Sequence, residues 1–300
     1  MADQKHDRAT QDVGNIVALE HVNVKVPDQQ LATLFYNTGL GLTRDPYIMT
    51  GLGNMWMNVG RSQFHLPTTQ KPQVLRGHTG LVLPDRAALL KRLATVKEQL
   101  AHTKFKFTEH EAYVEATCPW GNRIRCHAPD EQRFGRIQLG MPYVEFEVPA
   151  GVASGIADFY RQVFKTSATV ETDAAGCYAR VTVGKAQYLH FRETDRPLPD
   201  YDGHHLQIYL ADFSGPHAWL LKKGLVTEES DQYQYRFQDI VAPDSGKVLF
   251  TIEHEVRSLT HPMCLRPLIN RNPLQTNRTY APGHDPGHWA MAPEHYDNQP

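Results

Sequence analysis

Arg76-Gly77-His78-Thr79-Gly80-Leu81-Val82-Leu83-Pro84-Asp85 reads as a short strand that opens on a histidine and closes on a Pro-Asp turn. Leu81 and Leu83 alternate with His78, Gly80 and Val82, so one face can be buried while the other keeps a ligand-capable head. The same pattern recurs. Leu19-Glu20-His21-Val22-Asn23-Val24-Lys25-Val26-Pro27-Asp28 carries it, as does Gly203-His204-His205-Leu206-Gln207-Ile208-Tyr209-Leu210-Ala211-Asp212. Pro142-Tyr143-Val144-Glu145-Phe146-Glu147-Val148-Pro149 is a fourth copy, with tyrosine where the others place histidine.

Each copy is followed by a helix-like segment and further strands. After strand 18–26, Leu31, Leu34 and Phe35 fall at helical spacing until Gly39 and Gly41 end the helix. Strands 54–59 and 62–66 follow, joined at Gly60-Arg61. The organising strand, 77–83, leads into a helix from about 86 to 100. Strands between 104 and 127 then surround a turn at Pro119-Trp120-Gly121-Asn122. The pattern then restarts. Val26-Pro27 recurs as Val148-Pro149, Phe35-Tyr36 as Phe159-Tyr160, Gly60 as Gly184, His78 as His205 and Gly121 as Gly246. Offsets that stay nearly constant and slip only in loops mark an internal duplication. The expected organisation is a loose leader over 1–15, a first two-unit domain over 16–130, a second over 140–256, and an extended arm over 257–300. In that arm Arg266, Asn270, Arg271 and Asn272 suit carbonyls at a domain or subunit edge.

The bulk numbers exclude several classes. The 300 residues carry a formal net charge of −2 with both signs mixed, which leaves no electrostatic footprint for nucleic acid. No apolar run approaches membrane-spanning length, and the polar start lacks a secretory core. Four cysteines without a Cys-x-x-Cys pair read as reduced thiols, so a cytoplasmic protein is expected. Sixteen histidines are many for this length and carry the composition's hint of chemistry.

Four strand–helix–strand–strand–strand units in two halves resemble the vicinal oxygen chelate superfamily: glyoxalase I, bleomycin-resistance proteins and extradiol ring-cleaving dioxygenases. The resemblance covers roughly residues 16–256 and implies an α+β fold with two cupped mixed sheets. It also implies metal ligands on the first and last strands of paired units. Carried over one position at a time, it places His21 and His78 on opening strands and His65 on the closing strand of the first unit. The next closing position falls on Arg125, with His127 on the same face. In the second half the opening position is Tyr143, with Glu145 beside it. His190 sits on the third unit's closing strand, where strict register names Leu189, and His205 opens the fourth. On the last strand the family's glutamate position falls on Phe250, so that Glu253 or Glu255 needs a bulge to reach the cup.

Imidazole and carboxylate ligands suit divalent iron, manganese or zinc, with open positions left for substrate. Period-two strands also put every second residue on a cup wall, where a histidine can simply be hydrogen-bonded. Two ligand sets follow: His205, His190 and Glu253 in the second half, or His21, His65 and His78 in the first. The carboxylate favours the second-half set. Tyr143 and Tyr209 are the candidate catalytic side chains, with Tyr188 and Gln207 as neighbours. The expected protein is a metal-dependent oxygenase, lyase or isomerase acting on a small vicinally oxygenated substrate. The alternative is a metal-free small-molecule-binding protein of the bleomycin-resistance type. A small molecule is the expected partner, and the arm admits a homo-oligomer.

Overall fold

A computed structural model describes residues 7–48 and 51–271. Sixteen strands form two eight-stranded mixed sheets. The first unit contributes β1 (Ile16–Asn23), β2 (Thr43–Arg44), β3 (Asn54–Val59) and β4 (Ser62–Pro67). The second contributes β5 (Gly77–Val82), β6 (Lys106–Glu109), β7 (Val114–Thr117) and β8 (Arg123–His127). The third has β9 (Gly140–Pro149), β10 (Ala168–Asp173), β11 (Gly176–Gly184) and β12 (Gln187–Thr194). The fourth has β13 (His205–Leu210), β14 (Val226–Asp231), β15 (Gln234–Val241) and β16 (Val248–Ser258).

The helices are α1 (Gln29–Ala32, continued as a π turn over Thr33–Gly39), α2 (Arg86–Thr95), α3 (Glu131–Phe134), α4 (Ala153–Val163) and α5 (Ser214–Lys222). The aspartates that close the repeated strands have a physical role. Asp28 accepts from the amides of Gln30 and Leu31, and Asp85 from Ala88, so each caps the helix that follows. Helix α4 packs on β10, β11 and β12 of its own sheet and on β15 and β16 of the other, so it lies between the two sheets.

The alternation read from the sequence holds in the core. Val22, Val24 and Val26 are buried, as are Val144, Phe146 and Val148, and Leu206, Ile208 and Leu210. Each such side chain contributes about 1.5–3 kcal/mol by leaving water. The opposite faces of these strands line the cups.

Unit pairing departs from the sequence halves. One sheet runs β14-β15-β16-β13-β1-β4-β3-β2, the other β10-β11-β12-β9-β5-β8-β7-β6. The first unit therefore shares a cup with the fourth, and the second with the third. The expectation that residues 16–130 and 140–256 each close a cup of their own does not hold. All four opening strands carry the same alternation, so their pattern cannot choose a partner.

Beyond β16 the described part of the arm lies against the first unit. Asn270 donates to Gly60 O at 2.8 Å and accepts from Gly60 N at 2.9 Å, and Asn58 donates to Ile269 O at 2.9 Å. Arg266 meets Asp45 at 2.9 Å, and the Arg271 amide donates to Thr43 Oγ1 at 2.8 Å. Asn272 and the tail histidines His284, His288 and His295 lie outside the described residues. No helix among the described residues is long and apolar enough to cross a membrane.

Candidate metal centre

The first cup is built on the antiparallel seam between β1 and β13, where His21 faces Gln207 and Asn23 faces His205. The outer neighbours are parallel: Asn23 pairs with His65 on β4, and Gln207 with Glu255 on β16. His21 and His205 thus occupy equivalent places in the two units, as do His65 and Glu255. These are the opening and closing strand positions of a paired unit.

His21, His65 and His205 bring ligand atoms within 4.8 Å of one another. His21 Nδ1 is 3.3 Å from Glu20 Oε2, and a carboxylate only accepts, so the proton sits on Nδ1. His21 Nε2 is then left buried without a partner among the described residues. His205 Nδ1 is 3.3 Å from Glu253 Oε1, and its Nε2, likewise without a hydrogen-bond partner, is 3.6 Å from Glu255 Oε2. A carboxylate behind each imidazole fixes its orientation and raises its basicity, as in many metal sites. His65 is held on both sides, by Asn23 Nδ2 and Asn54 Oδ1 at 2.7 Å each, and stacks on Trp56 with ring centroids 3.7 Å apart.

Glu20 reaches the cup because of a β-bulge. The register shifts between Leu19 and His21, so Glu20 is extra on β1 and turns to the cup face beside His21. There Tyr209 donates to it at 3.2 Å and Arg257 at 3.1 Å.

Electrostatics favour a cation. Glu20, Glu253 and Glu255 face two guanidiniums, Arg236 and Arg257, which leaves one negative charge uncompensated when the histidines are neutral. Burial alone would raise Glu255, but His205, His21, Arg257 and Arg236 together hold it well below the usual carboxylate range. Burial, with the neighbouring His21 and His205, lowers His65 to about 2, and burial lowers His205 too. His65, His205 and Glu255 are thereby favoured in their deprotonated forms, as metal ligands must be. Two unpartnered Nε2 atoms fit a divalent ion of the iron, manganese or zinc class, with His65 and Glu255 completing the set once His65 gives up one asparagine contact and Glu255 shares an oxygen with its arginines.

Both ligand sets read from the sequence are split between cups. His205 and Glu253 lie in the first cup, but His190 lies in the second, where it pairs with Glu145. His21 and His65 belong to the first cup, whereas His78 lies opposite Glu145 in the second. The candidate catalytic residues separate as well. Tyr209 is in the first cup, and Tyr143 is in the second, where its hydroxyl is 2.9 Å from His127 Nε2.

Register settles two more positions. His190 lines a cup, as read, while Leu189 enters the core; the bulge expected for Glu253 and Glu255 is not needed. Phe250 is buried against Phe146 and Phe191, while Ile252, His254 and Val256 alternate into the core. That alternation presents Glu253 and Glu255 to the cup. Glu20, Trp56 and Asn54 were not singled out. Glu20 needs the bulge to face the cup, and no sequence pattern marks it.

No protein-family model matches the sequence, and no curated protein matches it. Solved structures do. Glyoxalase I from Zea mays is 12% identical over 80% of this chain and 92% of that one, with a TM-score of 0.56. A Bacillus subtilis protein described as a candidate dioxygenase is 15% identical over 81% of this chain and 85% of that one, at 0.52. The chain has the vicinal oxygen chelate fold. Within that fold the first cup carries its acid and imidazole side chains on the opening and closing strands of two paired units.

Proposed function

We propose that the first cup holds one divalent metal ion and that the chain is a metalloenzyme acting on a small, vicinally oxygenated molecule by oxygenase, lyase or isomerase chemistry. The observation that carries this reading is the convergence of His21, His65 and His205, with Glu255 3.6 Å from His205 Nε2 at the position equivalent to His65. His21 Nε2, His205 Nε2, one His65 nitrogen and a Glu255 oxygen would hold the ion. Such an ion supplies Lewis acidity toward two adjacent oxygens of a substrate.

The chain's own residues do the rest. Glu20 and Glu253 keep the protons of His21 and His205 on Nδ1, away from the site. Tyr209 and Arg257 keep Glu20 in place. Gln207, fully buried with both amide atoms unpartnered among the described residues, stands across from His21 to donate to or accept from a substrate oxygen. Trp56, stacked on His65, supplies a flat apolar wall.

The likeness to glyoxalase I and to a candidate dioxygenase supports the fold and leaves the reaction class open between them. Metal analysis of tag-free protein tests the reading. Stoichiometric metal lost on either His21→Ala or His205→Ala is expected. Absence of metal after reconstitution would move the reading to a metal-free binding protein, with His65 serving only its two asparagine contacts.

A further inference from the structure

The second cup is a separate cavity of about 450 Å³, a volume typical of small-molecule pockets. Its strand positions equivalent to His21, His205, His65 and Glu255 hold His78, Tyr143, Arg125 and His190. Among the described residues, no three ligand-type side chains converge there as His21, His65 and His205 do in the first cup. A guanidinium and a phenol stand where a metal site needs donors.

The polar layout points elsewhere. Glu145 sits between two imidazoles, 3.8 Å from His78 Nδ1 and 3.7 Å from His190 Nδ1, with Arg192 Nε at 3.1 Å. Both contacts are longer than hydrogen bonds, but the carboxylate favours a proton on each facing Nδ1, and both Nε2 atoms are buried without partners among the described residues. His78 is 3% exposed and lines the cavity. Such orphaned acceptors cost free energy unless a ligand donates to them.

The walls are flat. Tyr143 and Tyr188 lie nearly parallel to the His190 ring, at interplanar angles of 20° and 19°. The carboxylates are already engaged: Glu145 and Asp173 by Arg192, and Glu171 by Arg180 and Tyr178. On the cationic side, Arg133 has no ion-pair partner among the described residues, and Arg125 spends only its Nε on Glu115. The charges balance, four guanidiniums against Glu115, Glu145, Glu171 and Asp173, but Arg192 serves two of those carboxylates, which leaves Arg133 without a carboxylate of its own among the described residues.

We propose that the second cup is a metal-free binding site for a small hydroxylated aromatic acid. Its carboxylate rests on Arg125 and Arg133, its ring lies beside the Tyr143–His190–Tyr188 stack, whose outer faces are covered by Gly80 and Arg180, and its hydroxyl donates to the free Nε2 of His78 or His190. Arginine forks suit a planar carboxylate, and aromatic walls suit a ring.

Calorimetric titration of the metal-reconstituted full chain with 4-hydroxybenzoate tests this. Saturable binding is expected, weakened about tenfold for benzoate, which lacks the hydroxyl, and about tenfold for 4-hydroxybenzamide, which lacks the charge. Arg125→Gln should weaken the acid about tenfold while leaving the amide unchanged. Arg133→Gln, at an exposed rim position, should act in the same direction and carries the test where Arg125→Gln does not fold. Gly80→Ala should also weaken binding, because its Cβ would come within 2.2 Å of a Tyr143 ring carbon. His205→Ala should leave binding intact, which separates this site from the metal reading of the first cup. No saturation up to about 10 mM, equal affinity for acid and amide, or loss on His205→Ala with retention on Arg125→Gln would each overturn the assignment.

Discussion

Replacing Glu255 with glutamine keeps the side chain's shape and deletes one charge from the first cup. The carboxylate is 3% exposed and contacts both Arg236 and Arg257, the latter at 2.6 Å. Breaking a buried ion pair by removing one partner costs about 3–5 kcal/mol. Here neither arginine is orphaned, since Arg257 keeps Glu20 at 3.1 Å and Arg236 keeps Glu253 at 2.6 Å. The expected loss is therefore about 2–3 kcal/mol. Glu253→Gln, at a wetter side chain, should cost about 1 kcal/mol. Urea unfolding of chelator-treated protein followed by circular dichroism measures both.

The pH dependence has a definite sign. The fold holds the Glu255 pKa far below its ordinary 4.5, so on acidification the unfolded chain takes up the proton first. The stabilisation is complete above about pH 4.5 and fades below it. The gap between parent and variant should be flat from about pH 7 to 5.5 and narrow below 4.5. A Glu255→Gln protein as stable as its parent at neutral pH would refute the charge balance described for this cup.

Three further outcomes are expected. Val24→Asp buries an unpaired charge at a position 2% exposed and should cost about 3 kcal/mol or more; an unchanged calorimetric midpoint would mean the β1 register is wrong. His254, fully buried between Tyr160 Oη at 2.6 Å and Ile252 O at 2.9 Å, is held neutral down to about 3 by burial. Below pH 6.5 only the unfolded chain accepts that proton, so stability should fall by up to about 1.4 kcal/mol per pH unit, and His254→Phe should flatten the slope by that amount. Asn270→Ala should cost about 1–3 kcal/mol and speed amide exchange at Gly60; unaltered exchange would show that the arm does not rest there.

Much of the architecture could be read from residue order. Period-two alternation in β1, β9 and β13 named the buried faces, and helical spacing after the Pro-Asp turns placed the first two helices. What alternation cannot encode is which opening strand meets which. His21 and His205 are far apart in sequence and belong to different duplicated halves, yet they meet diagonally across the seam with ring centroids 5.9 Å apart. Sets assembled within one half therefore mixed two cups. Glu255 lay two residues along the same strand face from Glu253, and choosing between them requires the β13–β16 register. Glu20 was hidden for another reason: an adjacent pair, Glu20-His21, reaches one face only through a bulge.

Metal content of tag-free protein, after reconstitution with ferrous, manganous or zinc ions, tests the central claim most directly when four alanine variants are measured beside the parent. One ion per chain in the parent, lost in His21→Ala and His205→Ala and kept in His78→Ala and His190→Ala, is the predicted result. Metal that follows His78 or His190, or that is absent from the parent, would contradict the assignment of the first cup as the metal centre.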